Sequence, residues 1–360
     1  MSNIVRRRND MGYEKMNRVK LAVLPTPLEE LKNLRKVIGG PRVFMKRDDL
    51  NGLGLGGNKL RKLEYLIGDA MAQGCDVIIT SGDGQTNHGR LTAAACAKMG
   101  LECYLVITSD PVDTFEGNQI LQYLFGAKEV FCDVDHNVPA EKMAKERLRA
   151  GDAKIDELVK RLISEGKKPY VIPRGGRSTC STASYTRCMC EEVKPQLEAM
   201  GVDKLDYIIS PCATSSTMTG ITLGNKVSGL NAKVIGVALS RSVEEGKDML
   251  MEEFKKDASY LEYDETLERD EITILGDYLG EGYGIPTDKG MEAIKLFART
   301  EGIIVDPTYT GKTMSAYIDL VRKGYFKDDD TVLLFHTGGI PLIFLSGTAE
   351  RIRRMKEGER

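Results

Sequence analysis

A lysine placed where a glycine-rich turn becomes a helix is the first residue of this sequence with chemistry to offer. The stretch Gly52-Leu-Gly-Leu-Gly-Gly57-Asn58-Lys59-Leu-Arg61-Lys62-Leu-Glu64-Tyr65 follows a short apolar run, Arg42-Val-Phe-Met-Lys46. Beyond it Leu60, Leu63, Leu66, Ile67, Ala70 and Met71 recur at helical spacing. A buried amine at a helix start feels the positive helix end and loses hydration, and both disfavour its charged form. A neutral amine condenses with an aldehyde, so Lys59 is suited to Schiff-base chemistry. Two other readings fit the same residues. Gly52, Gly54 and Gly57 also satisfy G-x-G-x-x-G, the dinucleotide fingerprint, with Asp83 near the place of its acidic partner. Alternatively Lys59, Arg61 and Lys62 form a solvated helix face.

Four loops at predicted strand ends add candidates, since ligands of open α/β sheets bind beyond the carboxyl ends of strands. Ser81-Gly-Asp83-Gly-Gln85-Thr86-Asn87-His88 offers hydroxyl and amide groups at a helix start, where plain capping is the alternative. Cys212-Ala213-Thr214-Ser215-Ser216-Thr217 is small and hydroxylated, a cradle in which backbone N–H groups converge on a phosphate. Gly282-Tyr283-Gly284 and Asp306-Pro-Thr-Tyr309-Thr310 bring two tyrosines able to stack on a flat ring or move a proton. His336-Thr337-Gly338-Gly339 ends a very apolar strand and is placed to wall a site.

The elements that must position these residues alternate almost throughout, which predicts an α/β fold of parallel sheets flanked by helices. Strands are predicted over 42–46, 76–80, 102–107, 128–132, 169–172, 206–210, 233–239, 303–305 and 331–335. Helices are predicted over 59–73, 88–99, 117–125, 141–165, 217–226, 243–257, 289–301 and 312–323. At 360 residues two lobes are expected. Segments 1–61 and 181–360 are assigned to a large domain and 62–180 to a smaller insertion, with the site expected in the cleft between them.

Composition narrows the partners. With 51 basic against 53 acidic residues, net charge −2, no electrostatic case exists for nucleic acid or a membrane surface, and a small molecule is expected. The eight cysteines contain no C-x-x-C and mostly sit in apolar runs, which reads as reduced thiols of a cytoplasmic protein. Three scattered histidines, His88, His136 and His336, suggest no metal site. The basic start Met1–Arg8 has no apolar segment after it, so no signal peptide is expected.

Taken together, Leu24-Pro-Thr-Pro27-Leu28, Lys46-Arg-Asp-Asp49, Gly56-Gly-Asn-Lys59, Gln85-Thr-Asn87-His88, the 213–217 loop, Asp306-Pro-Thr-Tyr309 and Thr337-Gly-Gly339 resemble the D-cysteine desulfhydrase and 1-aminocyclopropane-1-carboxylate deaminase family of pyridoxal-phosphate enzymes. The resemblance covers nearly the whole chain and displaces the nucleotide reading. It implies a two-lobed tryptophan synthase β-like (type II) fold, a homodimer, and pyridoxal 5'-phosphate on Lys59. Asn87 would then contact the cofactor ring, Ala213, Thr214, Ser215, Ser216 and Thr217 would hold its phosphate, and Thr310 would lie beside the pyridine nitrogen. Tyr283 and Tyr309 become the paired active-site tyrosines, and Thr86 takes the place of a substrate-holding serine. Substrate contacts are expected from Thr86, Asn87, His88, Thr337 and two arginines unusual for the family, Arg174 and Arg177. The deaminase branch has glutamate and leucine where this chain has Thr310 and Thr337. A hydroxyl cannot keep a pyridine nitrogen protonated as a carboxylate can, and the milder electron sink suits β-elimination. The implied activity is release of sulfide from D-cysteine, giving pyruvate and ammonia. The two arginines make L-cysteate, with sulfite as leaving group, the rival substrate. Deaminase-like chemistry, or cofactor binding without turnover, are the further alternatives.

Overall fold

The structure, a computed structural model, describes residues 12–359, so the basic Met1–Arg8 stretch lies outside it. Ten strands run β1 Leu28–Glu30, β2 Arg42–Arg47, β3 Val77–Gly82, β4 Glu102–Ile107, β5 Lys128–Phe131, β6 Pro169–Val171, β7 Tyr207–Cys212, β8 Lys233–Ala238, β9 Thr273–Leu275 and β10 Thr331–His336. The α-helices are α1 Lys32–Ile38, α2 Asn58–Ala72, α3 Asn87–Met99, α4 Asn118–Leu124, α5 Ala140–Ser164, α6 Thr179–Cys188, α7 Lys194–Ala199, α8 Ser216–Val227, α9 Val243–Tyr260, α10 Asp288–Glu301, α11 Thr310–Arg322 and α12 Ser346–Gly358.

The chain divides into two compact units. The first comprises residues 24–48 and 178–338 together with the stretch before Arg18, and the second comprises 18–23, 49–177 and 339–360. In the first, a six-stranded sheet has the order β1-β2-β10-β7-β8-β9, parallel except for β1, which pairs antiparallel with β2. β10 lies between β2 and β7, with Leu333 opposite both Phe44 and Ile208. Every residue of β10 is buried, as a strand covered on both faces requires. In the second unit the order is β5-β4-β3-β6, all parallel.

The second unit is larger than the 62–180 insertion expected from sequence. Helix α2 runs unbroken from Asn58, so Lys59 belongs with it and not with the larger unit. Residues 18–23 join because Glu64 of α2 takes the N–H groups of Leu21 and Ala22 at 2.9 Å each. The C-terminal segment joins because the Ser346 N–H donates to Glu116 at 2.6 Å. Residues 303–305, predicted as a strand, form none, whereas β1, β9, α1, α6, α7 and α12 were not predicted.

Helix α6, Thr-Cys-Ser-Thr-Ala-Ser-Tyr-Thr-Arg-Cys, reads as a loop by its hydroxyls, yet it is buried beside α8. Gly220 and Gly224 of α8 allow that approach: a Cβ on Gly220 would meet the Thr182 carbonyl oxygen at 2.6 Å, and one on Gly224 the Thr186 Cα at 2.8 Å.

Candidate active site

In the second unit the glycine turn delivers Lys59. Asn51 pins it twice, donating to the Gly57 carbonyl at 2.9 Å and accepting the Gly57 N–H at 3.0 Å. Gly56 sits at φ +66°, where a Cβ would lie 2.1 Å from the Asp49 carbonyl oxygen, so no other residue fits. Arg90, fully buried on α3, donates from Nη2 to the Gly56 carbonyl at 2.8 Å. Lys59 then reaches the Gly175 carbonyl, Nζ to O 3.1 Å. Burial pushes its amine down to about 8. The solvated-face alternative fails here, because Arg61 and Lys62 are buried.

Thr86 caps α3, its Oγ1 accepting the Gly89 N–H at 3.2 Å. The capping role weighed for this loop is therefore real. Asn87 is half-buried and its Oδ1 accepts from Asn118 at 2.9 Å. Asp83 takes the Gln85 N–H at 3.0 Å. His88, expected at the substrate, is buried against Thr80, with Nε2 to Oγ1 3.0 Å. Because Thr80 spends its proton on the Ile172 carbonyl at 2.8 Å, Nε2 is the protonated ring nitrogen. Burial, with Lys59 and Lys62 nearby, holds the imidazole neutral. His88 thus supports β3 from within the unit.

Arg174 and Gly175 belong to the turn Arg174–Gly176 that follows β6. Gly175 holds Lys59, while Arg174 lines a cavity with Ser81, Asp152 and Asp156. Arg177 is half-buried at the end of that turn.

In the first unit the 213–217 loop runs from β7 into α8. Ser215 takes the rare combination φ 55°, ψ −45°. Strain of this kind, about 1–3 kcal/mol, persists where the surroundings enforce it. Here Glu253 of α9 does so, accepting from Ser215 Oγ at 2.6 Å and Thr219 Oγ1 at 3.1 Å. The Ser215 hydroxyl is therefore turned toward Glu253. What remains is the start of a twelve-residue helix, whose first N–H groups have no intrahelical acceptor and whose dipole favours a dianion. Ala213 and Thr214 are half-buried at its mouth, and Ser216 and Thr217 are buried in its first turn.

Tyr283 and Tyr309 meet hydroxyl to hydroxyl, their rings edge-on with centroids 5.9 Å apart. Lys312 of α11 fixes the Tyr283 loop, donating to the carbonyls of Leu279 at 2.7 Å and Gly282 at 3.0 Å. Asp306 caps α11: Oδ2 takes the N–H groups of Thr308 and Tyr309 at 2.9 and 2.8 Å, and Oδ1 that of Thr310 at 2.7 Å. The Thr310 hydroxyl gives its one proton to Asp306 Oδ1 at 2.6 Å. Thr337 is buried beyond β10, next to His336, whose Nδ1 accepts the Gly338 N–H at 3.2 Å. Sequence reasoning gave no role to Asp306, Lys312, Glu253 or Arg90. Only Asp306 carried a signal, as an acidic residue just before a helix.

In the second unit an amine shifted toward its neutral form suits an aldehyde, and in the first an anion-binding helix start suits a phosphate. The family described as pyridoxal-phosphate dependent enzyme matches residues 19–338. The chain belongs to that family. This member is a pyridoxal-phosphate-dependent lyase of α/β fold. It is 37% identical over 333 residues to the D-cysteine desulfhydrase of Salmonella typhi, covering 91% of this chain and 95% of the relative. The D-cysteine desulfhydrase of Salmonella choleraesuis gives the same figures. A crystal structure of an ACC deaminase homologue superposes with TM-score 0.79 at 34% identity, covering 94% of this chain and 96% of that one. A hydrogen sulfide-producing enzyme from Fusobacterium nucleatum shares the fold, with TM-score 0.60 at 18% identity over 91% and 96% of the two chains. Among the described residues of this family member, no helix is long and apolar enough to cross a membrane.

Proposed function

We propose that the enzyme eliminates hydrosulfide from D-cysteine, giving pyruvate and ammonia. The observation that carries the reading is Lys59, an amine held at a helix start with its pKa pushed down to about 8. The D-cysteine desulfhydrases at 37% identity supply the substrate class. When bound, pyridoxal phosphate supplies an aldehyde that condenses with amines and a ring that delocalises an electron pair at Cα. Lys59 Nζ would hold the cofactor's aldehyde and, in its neutral form, is the base that takes the proton from the substrate Cα. The Cα electron pair forms the Cα–Cβ double bond as the Cβ–S bond breaks, and the sulfur leaves with both its bonding electrons. The resulting 2-aminoacrylate takes up water to give pyruvate and ammonia. The first N–H groups of α8 would hold the cofactor's phosphate. The Tyr283–Tyr309 hydroxyl pair passes a proton to the departing sulfur, while Thr86 and Asn87 orient the substrate. Arg177 remains the candidate for an anionic side-chain group such as the sulfonate of L-cysteate.

The test is sulfide release from D-cysteine beside sulfite release from L-cysteate, with wild type, Lys59→Ala and Arg177→Ala. The reading requires sulfide from wild type, none from Lys59→Ala, and D-cysteine turnover little changed in Arg177→Ala. Sulfite as the main product, lost in Arg177→Ala, would replace D-cysteine by L-cysteate. Neither product from cofactor-loaded wild type would leave a protein that binds the cofactor without this turnover.

A further inference from the structure

The four-stranded sheet of the second unit has two faces. On one, Thr80 meets His88 of α3. On the other, Val77 and Ile79 pack with Leu158 and Leu162 of α5, and Ser81 continues their row because alternate strand residues share a face. Beyond Ser81, between α5 and the carboxyl ends of β3 and β6, lies a half-open cavity of about 350 Å³. That is the size of a small-ligand site, at the sheet end where such ligands bind.

Its polar lining is Ser81, Thr108, Asp152, Asp156 and Arg174. The charges do not satisfy one another. Among the described residues Arg174 has no hydrogen bond or ion pair, and neither carboxylate has one. Asp152 and Asp156 stand one turn apart on α5, on the same side of the helix. Ser81 is 8% exposed, lines this cavity, and its hydroxyl has no hydrogen-bond partner among the described residues. A guanidinium, a pair of carboxylates and an unused hydroxyl therefore line one space.

We propose that this cavity is a second binding site, for a small α-amino acid in its zwitterionic form. The ligand carboxylate pairs with the Arg174 guanidinium, which matches two oxygens with two donors. The ammonium lies between Asp152 and Asp156 and relieves their mutual repulsion. Ser81 Oγ completes the contacts from the floor. A cation alone leaves Arg174 unpaired, and an anion alone leaves both carboxylates unpaired.

Equilibrium dialysis of the full-length holoenzyme against radiolabelled glycine tests this, because glycine has no β-substituent to lose. Wild type is expected to bind one more equivalent per chain than Asp152→Asn/Asp156→Asn, or to bind that equivalent about tenfold more tightly or better. Acetate or methylamine alone should not displace it at equal concentration. Equal glycine binding by wild type and the double variant overturns the proposal. If the double variant does not fold, Leu148→Trp decides. It places a bulky ring on a 43%-exposed position of the cavity wall without changing charge, and wild-type glycine binding in it overturns the proposal equally. Failure of the D-cysteine reading shows as absent sulfide, a readout independent of the glycine count.

Discussion

Lys59 should take up pyridoxal phosphate at a rate set by its neutral fraction. With the amine at about 8, the neutral form dominates above that pH and falls about tenfold per unit below it. Mixing cofactor-free protein with pyridoxal phosphate between pH 6 and 10 should therefore give an uptake rate that climbs and levels off near pH 8. A rate still climbing steeply from 9 to 10 would mean an ordinary exposed lysine. Asp306 invites a second measurement, since its carboxylate takes three N–H groups and the Thr310 hydroxyl. Asp306→Ala should destabilise the fold by about 1–3 kcal/mol, read as a lowered denaturation midpoint. An unchanged midpoint would show that the cap is dispensable. Lys59 and the two tyrosines were legible in the sequence because turn residues and a helix start fix their position locally. The partners of Thr310 and Ser215 were not. A hydroxyl's direction depends on which acceptor lies closest in space, and Glu253 is 38 residues from Ser215.

Among elements, α11 does two things, carrying Tyr309 at its start and holding the Tyr283 loop through Lys312. Lys312→Met keeps the length of the side chain and removes both donors. It should lower kcat for sulfide release several-fold while the absorbance of bound cofactor stays constant. Loss of the absorbance as well would assign Lys312 to cofactor retention. The α6–α8 pair makes a steric prediction: Gly220→Leu cannot be accommodated beside the Thr182 backbone and should cost about 1–3 kcal/mol or prevent folding. Wild-type thermal stability in that variant would contradict the close approach. These two helices also show where sequence pattern runs out. α8 begins where a strand ends and was predicted, whereas α6 has intrinsic preferences that favour a loop and is helical because packing overrides them. The short strands β1 and β9, three residues each, are too brief for any periodicity to register.

For the whole molecule the family resemblance implies a homodimer, which is open to test. Light scattering should return twice the 39.8 kDa chain mass at micromolar concentration, and a monomer mass would refute the dimer. The alternation of strands and helices was enough to recover the α/β class, since each parallel pair needs a crossover. The division of the chain was harder to read, because segments distant in sequence belong to one unit. That interleaving bears on how the protein is made. In the first unit β10 separates β2 from β7, so the strand containing residue 44 has no neighbour on that side until residue 333 has been synthesised. The sheet of the second unit is complete by residue 171. On the ribosome, therefore, the β3–β6 sheet can close early, while the early-made β2 waits for β10, the last of the described strands. Pairing over such a separation is slow. A nascent chain stopped before β10 should be digested by protease through residues 24–48 while much of 77–171 survives.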